Sequence, residues 1–184
     1  RLHSRDDLLR RCDRQTKTRL AASPLFWTLG AKQVGKAAII GWRDFLVPAL
    51  QANGDDLSIW PFAGQLGDLI RERAIVIAET YPAEAYGHLG FPRGGWSKRS
   101  QADRRARGIE MLAWAAQRPV ICQPDLVAAI RDGFGPAKDG EDPFDAVAGL
   151  LLMLDVVLGY RQDGAPDDEA VRRLEGWILG MVEE

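Results

Sequence analysis

Four carboxylates give the first chemical lead. Glu79 follows Ala74-Ile75-Val76-Ile77-Ala78, a short, apolar, β-branched run of the kind that forms a strand buried on both faces. Open α/β sheets place ligand sites outside the carboxyl ends of their strands, and that is where such a run puts Glu79. Glu141, Asp142 and Asp145 stand at the start of a later apolar helix. Asp142 and Asp145 are three residues apart, so their side chains share one helix face. The apolar positions after them, Ala146, Val147, Leu150 and Leu151, must pack inward, which would aim the carboxylates at the sheet edge. Carboxylates gathered there repel one another unless a cation offsets their charge. Mg²⁺ or Mn²⁺ would do so through oxygen ligands. A pair of such ions can activate water and stabilise the leaving oxygen in phosphodiester hydrolysis. The same residues have a structural reading: Asp142 as a helix N-cap, Asp145 near the positive end of the helix dipole, and Glu79 as a strand-end loop residue. Spacing alone leaves both readings open.

A second stretch, Gly30-Ala31-Lys32-Gln33-Val34-Gly35-Lys36-Ala37, has the Gly-x-x-x-x-Gly-Lys spacing of a phosphate-binding loop. Ala37 stands where that loop needs a Ser or Thr hydroxyl to hold magnesium. The preceding residues, Ser23 to Leu29, make a weak strand. Lys36 is therefore expected inside a helix, binding no phosphate. Leu150 to Leu154 followed by Asp155 imitates the acid-tipped strand of a nucleotide site, but it continues the helical spacing from Pro143 and reads as helix. Trp96, beside Gly94, Gly95 and Lys98, is the aromatic best placed to stack on a base. His88, close after Glu79, is either a proton-transfer aid or simply hydrogen-bonded. No Ser-His-Asp or Cys-His arrangement can be placed.

Composition narrows the classes. The 184 residues fit one domain, over 1–184, with enough chain to bury a core. At 46% hydrophobic and 27% charged residues, the chain belongs with folded proteins and not with disordered ones. The longest apolar stretch, Val147 to Leu158, is too short for a bilayer and is broken by Gly149 and Asp155, so no membrane span is expected. No apolar region comes after the charged start, so no signal peptide is expected. Cys12 and Cys122 suit reduced thiols in a cytoplasmic protein better than a disulfide framework, and two His with two Cys make a structural zinc site unexpected. The net charge of −2 hides an uneven distribution. Arg1 to Leu20 carries +4, Arg93 to Arg107 carries +5, and Asp139 to Glu184 carries −9. Two basic segments and an acidic end could set a polyanion such as nucleic acid beside a cation cluster, or could simply be solvated helix faces.

Periodicity sketches the elements that must position these groups. Ser4, Asp6 and Asp7 start a helix with Leu8, Leu9 and Cys12 on one face. A second helix spans about Lys32 to Leu46, with Val34, Ala38, Trp42, Phe45 and Leu46 on its packing face, and Pro48 bends or ends it. Strands are expected at Leu57 to Trp60 and Ala74 to Ala78, with a short helix through Leu66, Leu69 and Ile70 between them. Further helices are expected at Ala83 to Leu89, Lys98 to Gln117, Asp125 to Arg131, and from Asp142 or Pro143 to about Tyr160. A last one begins near Pro166 and carries Val171, Leu174, Ile178 and Val182. Most tryptophans, Trp27, Trp42, Trp60, Trp114 and Trp177, are expected in the core. The result is an α/β chain, rich in helix, with a parallel strand pair that leaves sheet edges open.

Several segments resemble the domain-of-unknown-function family 429, whose members are described as predicted nucleases with an RNase H-like fold. They are Phe26 to Lys36, Ile59-Trp60-Pro61-Phe62, Ala78-Glu79-Thr80-Tyr81-Pro82-Ala83-Glu84 and Glu141-Asp142-Pro143-Phe144-Asp145-Ala146. They extend over most of the chain, from about Arg11 to Gly159, and the Glu-Thr-Tyr-Pro segment and the acidic helix start are the more specific. The resemblance implies an RNase H-like domain and a metal-dependent nuclease. In it Glu79, Asp142 and Asp145 would be catalytic and metal-binding, with Glu141 as a further ligand, Mg²⁺ or Mn²⁺ as cofactor and nucleic acid as partner. An RNase H-like domain opens with a strand meander whose first strand carries a leading catalytic aspartate. This chain opens in a helical pattern, and Asp6, Asp7 and Asp13 all lie in such patterns. The N-terminal strands are therefore expected to be absent, as in a fragment or a degenerate member. The alternative function is a non-catalytic nucleic-acid-binding or protein-interaction module on the same fold.

Overall fold

The computed structural model describes residues 5–16, 19–25, 27–28, 34–136 and 138–183. It is helix-rich with a small parallel two-stranded sheet, an α/β architecture. Two compact units compose it, the first from Arg1–Glu79 with Asp163–Glu184 and the second from Thr80–Gln162.

The helix start expected at Ser4 lies outside the described residues. Two 3-10 turns, Arg5–Leu8 and Arg11–Asp13, take the place of one amphipathic helix. The interruption has a local cause. Arg10 is extended (φ −61°, ψ 162°), and the Asp13 carboxylate accepts its backbone N–H at 3.3 Å, an alternative that competes with the helix.

Next come α1 (Val34–Gly41) and α2 (Val47–Asn53), joined through a π turn, Trp42–Leu46, into one helical rod. Pro48 does not end it. The turn ahead of the proline is widened, with the Val47 N–H bonded to the Trp42 carbonyl, and Pro48 sits in the first turn of α2. Widening relieves the ring's clash with the preceding turn and absorbs the missing donor. The packing face expected on this helix is not buried. Gly35 is its one buried residue, while Ile39 is 57% and Phe45 69% exposed. Trp42 and Trp27 are likewise exposed, against the expectation that they are core.

β1 (Leu57–Ile59) and β2 (Ile75–Ile77) pair in parallel, with Leu57 beside Ile75 and Ile59 beside Ile77. Between them runs α3 (Leu66–Glu72), which buries Leu66 and Leu69. β1 is buried throughout, but β2 is not the doubly covered strand its sequence implies: Ile75 is 52% exposed. β1 is its only ladder partner among the described residues. Just past β2, Glu79 forms a parallel bridge with Ile178, and its carbonyl accepts the Leu179 N–H at 2.8 Å. The final helix expected near Pro166 is reduced to a π turn, Val171–Glu175. Gly176 then takes φ 75°, and a Cβ there would lie 2.8 Å from the Phe62 ring. Trp177, Ile178 and Leu179 are buried consecutively, which no single helix face permits.

The second unit packs α4 (Pro82–His88), α5 (Gln101–Ala116), α6 (Pro124–Asp132) and α7 (Glu141–Val157). Ala85, Phe91, Met111, Ile130, Phe144 and Leu152 lie at the centre of its core. α5 starts at Gln101, three residues after the expected Lys98, because Ser100 caps it by accepting the Asp103 N–H at 3.3 Å. Gly108 lets α5 and α6 touch: a Cβ there would sit 2.7 Å from the Ile130 carbonyl oxygen.

Candidate functional site

The four predicted carboxylates fall in two units, Glu79 in the first and Glu141, Asp142 and Asp145 in the second. Each set has its own surroundings.

Glu79 sits past the end of β2, as the sequence suggests, but its oxygens are engaged. The Arg10 guanidinium donates from Nη1 to Oε2 at 2.7 Å and from Nη2 to Oε1 at 2.8 Å. The same guanidinium donates to both oxygens of Asp13, from Nε at 2.8 Å and from Nη2 at 3.0 Å. Arg10 is 4% and Asp13 2% exposed, so this knot is largely out of water. Burial works against the arginine's charge, yet the bonds to Glu79 and Asp13 more than offset it and hold the guanidinium pKa above its ordinary value. Next to it, burial pushes the Cys12 thiol up to about 12, so it stays protonated and inert. The early acid that shares the Arg10 guanidinium with Glu79 is Asp13, a residue whose helical pattern hides it. The spacing of Arg10 and Asp13 is visible in the sequence, but Glu79 lies 69 residues from Arg10 and nothing local signals the contact.

Asp145 lies on the first turns of α7 and is half-buried. Its Oδ1 accepts from the Tyr86 hydroxyl and its Oδ2 from the Lys98 ammonium. Tyr86 is fixed by aromatic neighbours: Phe91 stacks on it at 5.5 Å and Trp96 meets it edge-on at 5.1 Å. Burial, and then the bond to Asp145, raise the Tyr86 phenol pKa. Glu141 lies 3.8 Å from the exposed Arg99 guanidinium. Asp142 is exposed and one residue inside the helix, so it is not the N-cap; Gly140 holds that position.

The basic segment from Arg93 to Arg107 does not present a row of free cations. Arg104 is fully buried and donates to the carbonyls of Gly133, Lys98 and Gly135 at 2.7, 2.5 and 2.7 Å. It thereby fixes the backbone that carries Lys98. Arg105 pairs with Asp132 at 2.6 Å and Arg107 with Glu110 at 2.5 Å. In the N-terminal segment, Arg11 pairs with Asp168 and Glu183. Trp96 is no open stacking platform, since its ring packs on Tyr86, Phe91 and Phe144 and its Nε1 donates to the Pro92 carbonyl at 2.8 Å. His88 lies 3.0 Å from Glu84 one turn back, the plain hydrogen-bonded arrangement. Lys36 lies in α1 as expected, while Gly30 to Gln33 fall outside the described residues.

A divalent ion needs several carboxylate oxygens turned to one point. Both oxygens of Asp145 and both of Glu79 carry protein donors, supplied by the cations Arg10 and Lys98 and the Tyr86 hydroxyl. Among the described residues no three His, Cys, Asp or Glu side chains converge. Bound in this way, Glu79 and Asp145 do not offer free oxygens to Mg²⁺ or Mn²⁺. Both cysteines are free thiols, and among the described residues no helix is long and apolar enough to cross a membrane. Comparison with models of protein families, with curated proteins and with solved structures finds no match.

Proposed function

We propose that this chain is a protein-interaction module of RNase H-like type and not itself a nuclease. One observation carries the reading: the rod of residues 34–53 is rich in large apolar side chains that face water, among them Ile39, Ile40, Trp42, Phe45 and Val47. An apolar patch of this kind marks a surface that another protein covers. Each such side chain moved out of water contributes about 1.5–3 kcal/mol at most. The engaged carboxylates support the non-catalytic half of the reading. The burial of Arg104 and the pairing of Arg11, Arg105 and Arg107 within the chain favour a protein partner over a nucleic acid.

A metal-dependent nuclease is the second reading, and one observation favours it. Glu79 at a strand end and Asp142 with Asp145 at a helix start stand where the family resemblance implies the active acids. That reading requires Arg10 and Lys98 to give way.

The test has two arms. Ile39→Glu and Phe45→Glu should each change stability by no more than about 0.5 kcal/mol, because both side chains are mostly exposed. The chain should cut neither single- nor double-stranded DNA or RNA with Mg²⁺ or Mn²⁺. Strong destabilisation by both substitutions would remove the docking surface. Cleavage that a chelator abolishes and Asp145→Asn removes would establish the second reading.

A further inference from the structure

Parallel pairing fixes which edge of β2 is free. The Ile75 N–H donates to the Asp56 carbonyl and the Ile77 carbonyl accepts from the Trp60 N–H, both at 2.9 Å, so the odd-numbered residues bond to β1. By alternation Val76 turns its N–H and C=O to the opposite edge. Among the described residues these two groups have no hydrogen-bond partner. Natural edge strands are usually guarded by a lysine, a proline, a bulge or a covering element. Residues 74–78 include no charge and no proline, and Ala74 and Ile75 are exposed.

The sequence across this edge reads the same in both directions. Ala74-Ile75-Val76-Ile77-Ala78 is a palindrome centred on Val76, the residue whose polar groups face outward. Just outside it, Arg73 and Glu79 occupy mirror positions with opposite charge. A twofold interface brings one surface patch against itself, and antiparallel strands meet in reversed order. A strand that is palindromic in its apolar residues and antisymmetric in its flanking charges satisfies both conditions.

We propose that β2 pairs antiparallel with β2 of a second copy of this chain, about a twofold axis at Val76. The two Val76 residues exchange both N–H···O bonds. Ile75 lies opposite the partner's Ile77, Ala74 opposite the partner's Ala78, and Arg73 opposite the partner's Glu79. The two-stranded sheet becomes a four-stranded one, and the exposed Ile75 gains an apolar neighbour across the new ladder. Arg73 is extended (φ −119°, ψ 143°), as strand pairing requires, and its Nη1 donates to the Asp55 carbonyl at 2.5 Å. Glu79 keeps its bonds to Arg10, so the flanking charges favour the antiparallel register without forming a new ion pair. This proposal does not rest on the helical rod of residues 34–53, which lies outside the paired strands.

The test is sedimentation of the full chain over a wide concentration range, combined with amide exchange at Val76. The wild type should form a reversible dimer, and the Val76 amide should be protected in the dimer and exchange freely on dilution. Ile75→Lys places like charges beside the axis and should abolish both the dimer and the protection, with an unchanged circular dichroism spectrum. Ala74→Pro provides a second variant should Ile75→Lys fail to fold. It removes an outward N–H that β1 does not use, and the backbone of Arg73 already suits a following proline. It too should yield a monomer. A wild type that stays monomeric at every concentration overturns the proposal. So does a dimer that persists in the variants, or one in which Val76 exchanges freely.

Discussion

The Arg10 knot and the Asp145 cluster neutralise acids in different ways, and the difference tells which of the two can open. In the first unit one planar guanidinium serves two carboxylates at once, Glu79 and Asp13, through four bonds of 2.7–3.0 Å. Arg10 and Asp13 are out of water, so solvent cannot take over either partner's bonds. In the second unit Asp145 is shared between a tyrosine hydroxyl held by stacked rings and a lysine that is itself partly exposed. A lysine on a flexible stem can leave for solvent at little cost, but a buried fork cannot. The first arrangement is a structural clamp joining an N-terminal turn to a strand end. The second is a tethered pair whose lysine can move.

The largest effect should therefore come from the clamp. Arg10→Ala leaves Asp13 buried beside Glu79 without a counter-charge and should cost about 3–5 kcal/mol, measured by denaturant unfolding. Arg10→Lys should restore little of it, because an ammonium cannot serve both carboxylates with the same geometry. Full recovery by lysine would reduce the clamp to simple charge. A smaller effect is expected in the second unit. Tyr86→Phe keeps the ring against Phe91 and Trp96 but removes the hydroxyl donor, a loss of about 1.5 kcal/mol. It should also alter the alkaline limb of stability. The folded state raises the Tyr86 pKa, so its contribution is whole below about pH 10, the ordinary tyrosine value, and fades as pH rises beyond it. The phenylalanine variant should lose less stability across that range, and equal loss in both proteins would contradict the assignment.

Much of this arrangement is legible in the sequence, and the remainder has identifiable causes. β2 and Glu79 can be placed because a β-branched apolar run needs only local information, and the start of α7 can be placed because its acids precede a long helical repeat. The burial of β2 cannot, since a doubly apolar strand shows that cover is favourable without supplying it. The exposed rod of residues 34–53 misleads in the same way: its period is right, but its packing face stays largely exposed, with Trp42 meeting only the edge of Phe62 among the described aromatic rings. Arg104 belongs to a segment whose charges read as a solvated face, yet it is buried because three carbonyls converge on it from two loops. The C-terminal residues match a helical spacing, but Gly176 at φ 75° and the bridge from Ile178 to Glu79 override it. Arg10 with Glu79, 69 residues apart, is the contact that most changes the functional reading.

The central claim is that the acids serve the chain's own cations and not a metal. The most direct test is a Mn²⁺ titration of the wild type at neutral pH, monitored by water-proton relaxation, beside Asp145→Asn and Glu79→Gln. The account predicts no saturable site in the wild type and no difference among the three proteins. A stoichiometric site that either substitution abolishes would contradict it.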